Sequence, residues 1–446
     1  VSFLEPEGLV RAEIAQRREE GCDTSEVEGK LSRMGEKSPR RLEALMEELD
    51  GLSPRPDFPY SEPSDLSRIR AERPSGLRRM EVALSEEELY DRVYGAWLGR
   101  CAGCLLGKPV EGWSREKIER YLRLAGAYPL DDYFPLVSPL PEEYGRLARS
   151  RCVRGRIRRM ARDDDTDYTI LGLHILEAHG PSFTTADVGE EWLSRLPYRG
   201  VYTAERAAYR NLVDGLSPPA TATHRNPCRE WIGAQIRADI WGYVTPGRPE
   251  LGAELAHRDA VLSHVKNGIY GEMFVSAMLS AAFATDDLET VIEVGLSEIP
   301  ARSRLAEAVR DTVDWSGEFG DWRDAWDRVM EKYGHYHPVH TINNAALVLL
   351  GLLYGRRDYG RSIAISVMAG LDTDCNGATT GSILGALLGA EALPERWTRP
   401  LNDRIESFVT GFGDSRVSDL AKRTLKIAKN VQGGRKARIE PQSQDT

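Results

Sequence analysis

Two acidic turns carry the clearest chemistry in this chain. The first is Asp163-Asp164-Asp165-Thr166-Asp167, and the second is Asp372-Thr373-Asp374-Cys375-Asn376. Residues two apart on a helix point in nearly opposite directions, so Asp372 and Asp374 can meet one ion only where the chain turns or enters a helix. Gly370, Thr373, Asn376 and Gly377 suit such a turn. Taken singly, each run reads as a capped, solvated helix start. Brought together, Asp163, Asp164, Asp165, Asp372 and Asp374 would put five carboxylates in one site, a repulsion that requires cations or raised pKa values. Two divalent cations meet that need. Carboxylate oxygens with few His or Cys nearby select hard ions, Mg2+, Mn2+ or Ca2+, over Zn2+.

Both turns stand directly before helix-like runs, whose free N–H groups can hold one carboxylate oxygen while the other faces an ion. What must bring them together is signalled by glycine. Gly95, Gly99, Gly103 and Gly107 recur at four-residue spacing, and so do Gly377, Gly381, Gly385 and Gly389, directly after the second acidic turn. Glycine costs roughly 1 kcal/mol in a helix interior relative to alanine, so the stripes need a compensating reason. Removing side chains lets helix axes approach more closely than the usual 8–10 Å. The spacing therefore predicts two central helices packed tightly against each other. Ser85, with Glu88 at the capping-box position, starts the first.

The rest of the chain frames this pair. At 446 residues it is long enough for a large domain plus an extension or for two or three ordinary domains, and the net charge of −10 (59 Lys+Arg, 69 Asp+Glu) argues against nucleic-acid or anionic-membrane binding driven by phosphate neutralisation. The apolar runs 345–355 and 362–371 are of core-helix length, and none reaches the ~18 residues of a membrane candidate. The charged first residues carry no signal-peptide apolar stretch, so a cytoplasmic protein is expected. Scattered Cys22, Cys101, Cys104, Cys152, Cys228 and Cys375 fit reduced thiols, with Cys101 and Cys104 packed inside a helix. Residues 1–50, dense in Glu and Arg with Leu42, Leu45, Met46 and Leu49 at helical spacing, read as one or two solvated helices. The Pro-rich stretch 51–74 reads as a connector that Phe58, Tyr60 and Ile69 hold on the main body. The expected division is an extension over 1–85, a catalytic domain over 86–430 and a disordered tail over 431–446. His335, His337 and His340 in a loop are weak zinc candidates.

Three readings compete for the acidic turns. Asp165-x-Asp167-x-Thr169 matches the D-x-D-x-T of haloacid-dehalogenase-type phosphatases, but the segment 157–162 before it, with its three arginines, is not an apolar strand. Asp163-Asp164-x-x-Asp167 matches the D-D-x-x-D of Mg2+-dependent isoprenoid synthases, a reading that leaves Asp372 and Asp374 unused. The third uses both turns. Asp-Asp-Asp-Thr at 163–166, Leu-Asp-Thr-Asp-Cys-Asn at 371–376, and a glycine-stripe helix ending in Gly-Lys-Pro-Val-Glu at 107–111 together resemble the ADP-ribosylglycohydrolase family, over roughly residues 88–400 and in the family's order.

That resemblance implies a compact all-α, multi-helix fold with two Mg2+ or Mn2+ ions in a central cleft, held here by Asp163, Asp164, Asp165, Asp372 and Asp374. It implies Glu111 as acid/base, with Asp165 as the alternative proton carrier. Gly233 to Asp239 and Ser263 to Glu272 are similar to the family's cleft-lining segments, which makes Arg237, His264, Asn267, Gly268 and Tyr270 the expected substrate contacts. Asn344 joins them, with helix capping as its rival role. Three positions depart from the family pattern: Asp163 replaces a threonine, Cys375 a hydroxyl residue and Cys104 an acid. A thiol is a poor partner for Mg2+, so Cys375 is expected to drop out of the metal shell. The implied activity is metal-dependent hydrolysis of a ribosyl glycosidic bond in an ADP-ribosyl conjugate, free or on a protein, or in a smaller nucleotide or nucleoside. The non-catalytic alternative is an ADP-ribose-binding relative that kept the fold.

Overall fold

The two glycine stripes lie against each other. In the computed structural model, which describes residues 5–35 and 37–432, the Glu86–Gly107 and Thr373–Leu388 helices pack with backbone on backbone. A Cβ added to Gly103 would stand 1.9 Å from the Gly377 carbonyl oxygen, and one on Gly99 2.1 Å from that of Gly381. In return, a Cβ on Gly385 would stand 2.1 Å from the oxygen of Gly95. The pairs run in opposite order along the two helices, so the packing is antiparallel. Gly389 is the exception among the predicted eight: it follows the helix at φ 82°, where it serves as a stop. The Ser85–Glu88 capping box is present, with Ser85 N donating to Glu88 Oε2 at 2.8 Å and Glu88 N to Ser85 Oγ at 3.2 Å.

Further helices pack around this pair, and the fold is all-α. The described residues contain 22 α-helices and a single two-stranded antiparallel sheet, Arg404–Glu406 with Asp414–Arg416, in which Ile405 pairs with Ser415. The helices Lys266–Ala282, Thr341–Gly355 and Tyr359–Met368 are almost wholly buried and complete one continuous core. Such all-round apolar helices are the mark of a deep interior. Trp97 ties the Val417–Gln432 helix to the first stripe helix by donating Nε1–H to Thr424 Oγ1 at 3.1 Å. Val431 and Gln432 close that helix, and the rest of the expected tail lies outside the described residues. No described helix is long and apolar enough to cross a membrane.

The N-terminal segment differs from the expected one or two solvated helices. It forms three, Pro6–Glu19, Ser25–Arg33 and Pro39–Asp50, which bury Val10, Ile14, Val27, Leu31, Leu42, Leu45, Met46 and Leu49 in a small core of their own. The cause of the misreading is that each helix contributes only a few apolar residues, and the module meets the main body through charge. Arg229, itself buried, binds Glu13 at 2.9 Å and Glu20 at 2.7 Å, while Gln16 donates to Glu230 at 2.9 Å. The connector continues the network, with Glu62 2.7 Å from Arg304 and Tyr60 O–H donating to Glu307 at 2.5 Å. Buried pairs of this kind cost several kcal/mol when one partner is removed.

If the backbone contact of the stripes organises the core, Gly103→Val should lower stability by about 3 kcal/mol or more, because the clash is with a carbonyl that has no rotamer to move. Gly317→Ala is the control: a Cβ there meets nothing within 4 Å, and the expected change is within ~1 kcal/mol. Denaturation midpoints measure both, and a wild-type midpoint for Gly103→Val would refute the claim.

Candidate active site

The stripe contact delivers the two acidic turns to one place. At its end, a Cβ on Gly107 would stand 2.1 Å from the Thr373 oxygen, and Thr373 Oγ1 donates to the Gly107 carbonyl at 2.8 Å. The chain leaving the first stripe helix, Lys108 to Glu111, therefore runs beside the chain entering the second. Gly112 N donates to the Leu371 carbonyl at 3.0 Å, and the turn before Asp372 uses positive φ at Gly370 (83°) and Leu371 (61°). Asp163 is the N-cap of the Asp164–His179 helix, accepting from Asp165 N at 3.1 Å. Arg100, fully buried on the first stripe helix, reaches across and donates Nε–H and Nη2–H to the Asp165 carbonyl at 2.9 and 2.6 Å. Its Nη1 lies 2.7 Å from Asp239 Oδ2.

The result is a cleft of about 360 Å3 lined by Lys108, Glu111, Asp163, Asp164, Asp165, Asp372, Asp374 and Cys375 together with Arg162, Tyr202, Thr203, Glu205, Ile232, Gly233, Ile236 and Val339. A larger open groove of about 1040 Å3 runs beside Glu86, Tyr90, Asp91 and Tyr94 at the other end of the first stripe helix; size alone does not locate chemistry, and the converging buried donors are in the smaller cleft. Two groups of ligand atoms each lie within 4.8 Å of one another: Cys104, Asp163 and Asp165, and Asp372, Asp374 and Cys375. Cys375 Sγ joins them, donating to Asp165 Oδ2 at 3.3 Å.

Burial sets the electrostatics. It raises Asp164 to about 8, with the charge of Asp165 adding to the effect. Asp372 is raised to about 7 by burial, with Glu111 and Asp165 adding to it and a hydrogen bond with Asp374 opposing it. Burial first, then the charge of Glu111, pushes the Asp374 carboxyl well above the usual range. Asp165 is raised by burial, against the opposing charge of Arg100. Burial works against the charge of Lys108, but Cys104, Asp374 and Asp164 facing it hold its pKa above the ordinary value. Asp374 is 5 % exposed, and its Oδ1 is buried without a hydrogen-bond partner. Such an atom costs free energy unless something positive meets it. A divalent cation fits these residues: four inward carboxylates, from Asp164, Asp165, Asp372 and Asp374, share one cavity with this unmet oxygen.

The other predicted residues divide. Glu111 is at the rim, about half exposed, and pairs with Arg146 at 2.9 Å rather than with Lys108. Asp163 remains in the cluster, but its oxygens are committed to capping and to an ion pair with Lys108. Asn344 positions the second turn: its Oδ1 accepts from Asp372 N at 3.2 Å and from Asn376 Nδ2 at 2.8 Å. The expected substrate contacts Arg237, His264, Asn267, Gly268 and Tyr270 do not line the cleft. Arg237 is buried against Asp259 (2.6 Å) and Glu205 (2.7 Å), and His264 lies behind it, its Nδ1 bonded to Ser263 Oγ at 2.8 Å. Asn267 donates to Glu230 and Glu62 at 2.7 and 2.8 Å, and Tyr270 O–H to the Pro63 carbonyl at 2.5 Å. The connector has sealed them. Gly268 packs on backbone, since a Cβ there would stand 2.7 Å from the Arg229 oxygen. Asp167 also turns away, held by Arg162 (2.7 Å) and Ser407 (2.7 Å), which removes the third acid of the D-D-x-x-D reading. His335, His337 and His340 join no metal-capable group among the described residues; His337 stacks on Trp231 and His340 caps a helix.

Residues not foreseen from sequence include Arg100, Arg162, Tyr202 and Glu205. Arg100 had a signal, an isolated charge inside a glycine and apolar helix. Glu205 had none: its carboxylate fills the space beside Gly233, where a Cβ would stand 2.1 Å from Oε1.

No curated protein matches the chain. Among solved structures, one described as an ADP-ribosylglycohydrolase-related protein complex is similar at 21% identity and a TM-score of 0.51, covering 77% of this chain and 99% of its own; at that identity it shows the shared fold. A family model for ADP-ribosylglycohydrolases matches residues 85–433. The stripe helices, both acidic turns and the cleft between them all fall inside that span, and the chain belongs to the ADP-ribosylglycohydrolase family.

Proposed function

We propose that the chain is a metal-dependent hydrolase that cleaves the N- or O-ribosyl bond of an ADP-ribosyl conjugate or a related nucleotide. Family membership supports a glycohydrolase-type activity. The observation that carries the metal dependence is the unmet, buried Asp374 Oδ1 among converging carboxylates from turns more than 200 residues apart. A non-catalytic scaffold has no use for that repulsion. Asp164, Asp165, Asp372 and Asp374 would hold the cation, and as oxygen donors they suit Mg2+ or Mn2+. When bound, the cation supplies positive charge that draws in ribose hydroxyl oxygens and acidifies a water.

The protein's own groups do the rest. Arg100 fixes the Asp165 backbone through its carbonyl and lies 3.4 Å from the carboxylate Oδ1. The cleavage passes through the oxocarbenium-like state of glycoside hydrolysis. Glu111, at the solvent edge of the same cleft, is the acid/base that can reach both water and the departing group. Asp165, flanked by Arg100 and Cys375 at the floor, serves as a ligand rather than as the proton carrier.

Incubation with ADP-ribosyl-arginine, ADP-ribosyl-serine and NAD+, with Mg2+ or Mn2+ or with EDTA, tests the activity. Release of free ADP-ribose from at least one, abolished by EDTA, is expected. Asp374→Ala should lower the rate by about a thousandfold, the scale of losing a charge-stabilising group. Tight ADP-ribose binding with no turnover of any substrate would instead favour the non-catalytic alternative.

A pH dependence follows from the raised carboxyls. Folded-state pKa values of about 8 for Asp164 and about 7 for Asp372 exceed the unfolded value, so the folded metal-free protein holds protons that the unfolded chain has lost. Their stabilising contribution is present at low pH and disappears as pH rises through those values. The buried histidines, whose pKa values are lowered, act in the opposite sense only below about pH 6.5. Thermal midpoints of chelator-treated protein should therefore fall between about pH 7 and pH 8.5, while metal affinity climbs over the same window. A flat midpoint and a pH-independent affinity would contradict the assignment.

A further inference from the structure

Charge is distributed unevenly around the mouth of the cleft. From Arg146 to Arg162 the sequence has eight arginines and no Asp or Glu, in a chain whose net charge is −10. Both ends of this run reach the cleft: Arg146 pairs with Glu111 at 2.9 Å, and Arg162 is itself a lining residue. Arg146, Arg151, Arg154, Arg159 and Arg162 each meet a carboxylate. The other three do not. Arg149 is exposed, and its side chain makes no hydrogen bond or ion pair among the described residues. Arg156 and Arg158, also exposed, donate only to carbonyls of their own segment, at 2.6 Å to Ala148 and 2.8 Å to Ile157. Three guanidinium groups therefore stand at the surface with uncompensated positive charge.

Charge alone does not select a partner, but rings do. Among the described residues the exposed aromatic side chains are Tyr198, Tyr202 and Phe408, at 44%, 41% and 50% exposure, and all three fall in one strip. The Arg162 guanidinium lies 4.3 Å from the Phe408 ring centroid and 5.8 Å from that of Tyr202. Arg206 lies 5.3 Å from the Tyr202 centroid and 5.8 Å from that of Tyr198. Arginines and rings thus alternate outward from the point where the basic run ends, and Tyr202 lines the cleft as Arg162 does. Exposed rings offer faces on which flat bases stack, and guanidinium groups without carboxylate partners offer paired donors to phosphate. An acidic peptide would use the charge and leave the rings idle. A duplex keeps its bases stacked inside, out of reach of such rings.

We propose that this face, from Arg149 through Arg158 to Phe408, Tyr202 and Tyr198, is a docking surface for single-stranded nucleic acid. Backbone phosphates meet Arg149, Arg156 and Arg158, and unstacked bases lie on the exposed rings. The chain-wide charge points away from such a partner only because an acidic total conceals a local run without acids. A strand held here passes the mouth of the cleft, and the surface stands whether or not the cleft is that of a hydrolase.

Fluorescence anisotropy of a labelled mixed-sequence RNA or DNA strand of about 12 nucleotides, titrated with the full chain in about 50 mM salt, tests the proposal. Saturable binding is expected, with a slope of log affinity on log salt of about −2, the value for three phosphate contacts on a single strand. The triple variant Arg149→Glu, Arg156→Glu, Arg158→Glu should bind at least tenfold more weakly and with a flatter slope. Phe408→Ala should weaken binding about fivefold or more with the slope unchanged, the signature of lost stacking rather than lost charge. Should the triple variant fold poorly, the wild type still decides: ultraviolet crosslinks from a bromouridine-bearing strand should map to Tyr198, Tyr202 or Phe408. Absence of saturable binding, crosslinks confined to other surfaces, or equal displacement of the strand by a polyglutamate peptide or by a duplex would overturn the assignment. None of these readouts requires turnover, so failure here leaves the hydrolase reading to its own test.

Discussion

Everything at the candidate site depends on two helices touching through bare backbone. Gly95, Gly99 and Gly103 meet Gly385, Gly381 and Gly377 at distances that exclude any side chain. The same contact continues to Gly107 and Thr373, where the chain on one side becomes Lys108 to Glu111 and on the other Asp372 to Cys375. The energetic penalty of glycine in a helix is thus borne where function needs it. A normal helix separation would move one wall of the cleft away from the other by several ångströms, more than metal coordination or a hydrogen bond tolerates.

The second constraint is charge kept in low dielectric. Arg100 secures Asp165 and Asp239 from beneath, and Lys108 closes on Asp163. Farther out, Arg229 and Arg304 join the N-terminal module and the connector to the main body through Glu13, Glu20, Glu62 and Glu230. Ion pairs this deep add little net stability but enforce one geometry, because any misplaced partner leaves a bare buried charge. The same network accounts for the silence of Asn267 and Tyr270: the connector that docks through Glu62 also occupies their polar groups.

Features with a local signature were legible in the sequence. Four-residue glycine spacing signalled the stripe contact, and two aspartate runs before helices signalled the two halves of the cluster. Gly389 was misassigned because a stripe glycine and a helix-stop glycine look alike until φ is known. Arg237, His264, Asn267 and Tyr270 lie in segments similar to the family's cleft-lining ones, but their partners here are Glu205, Asp259, Ser263, Glu62, Glu230 and Pro63, and almost all of these are distant in the chain. No local pattern reports a partner that far away. The N-terminal module was underestimated for a related reason: its core is assembled from a few apolar residues per helix, and only their convergence makes it a core.

The two departures at the cluster have opposite electrostatic consequences. At position 163 an acid brings an extra negative charge, yet Lys108 lies against it and cancels it locally. The charge facing the cavity is then that of Asp164, Asp165, Asp372 and Asp374, with Glu111 at the rim, so the demand for a cation is unchanged. At position 375 no charge is added while the thiol is protonated, and burial holds it so. Lys108 and Asp163 therefore preserve how much positive charge the site requires, and a protonated Cys375 leaves that requirement unchanged.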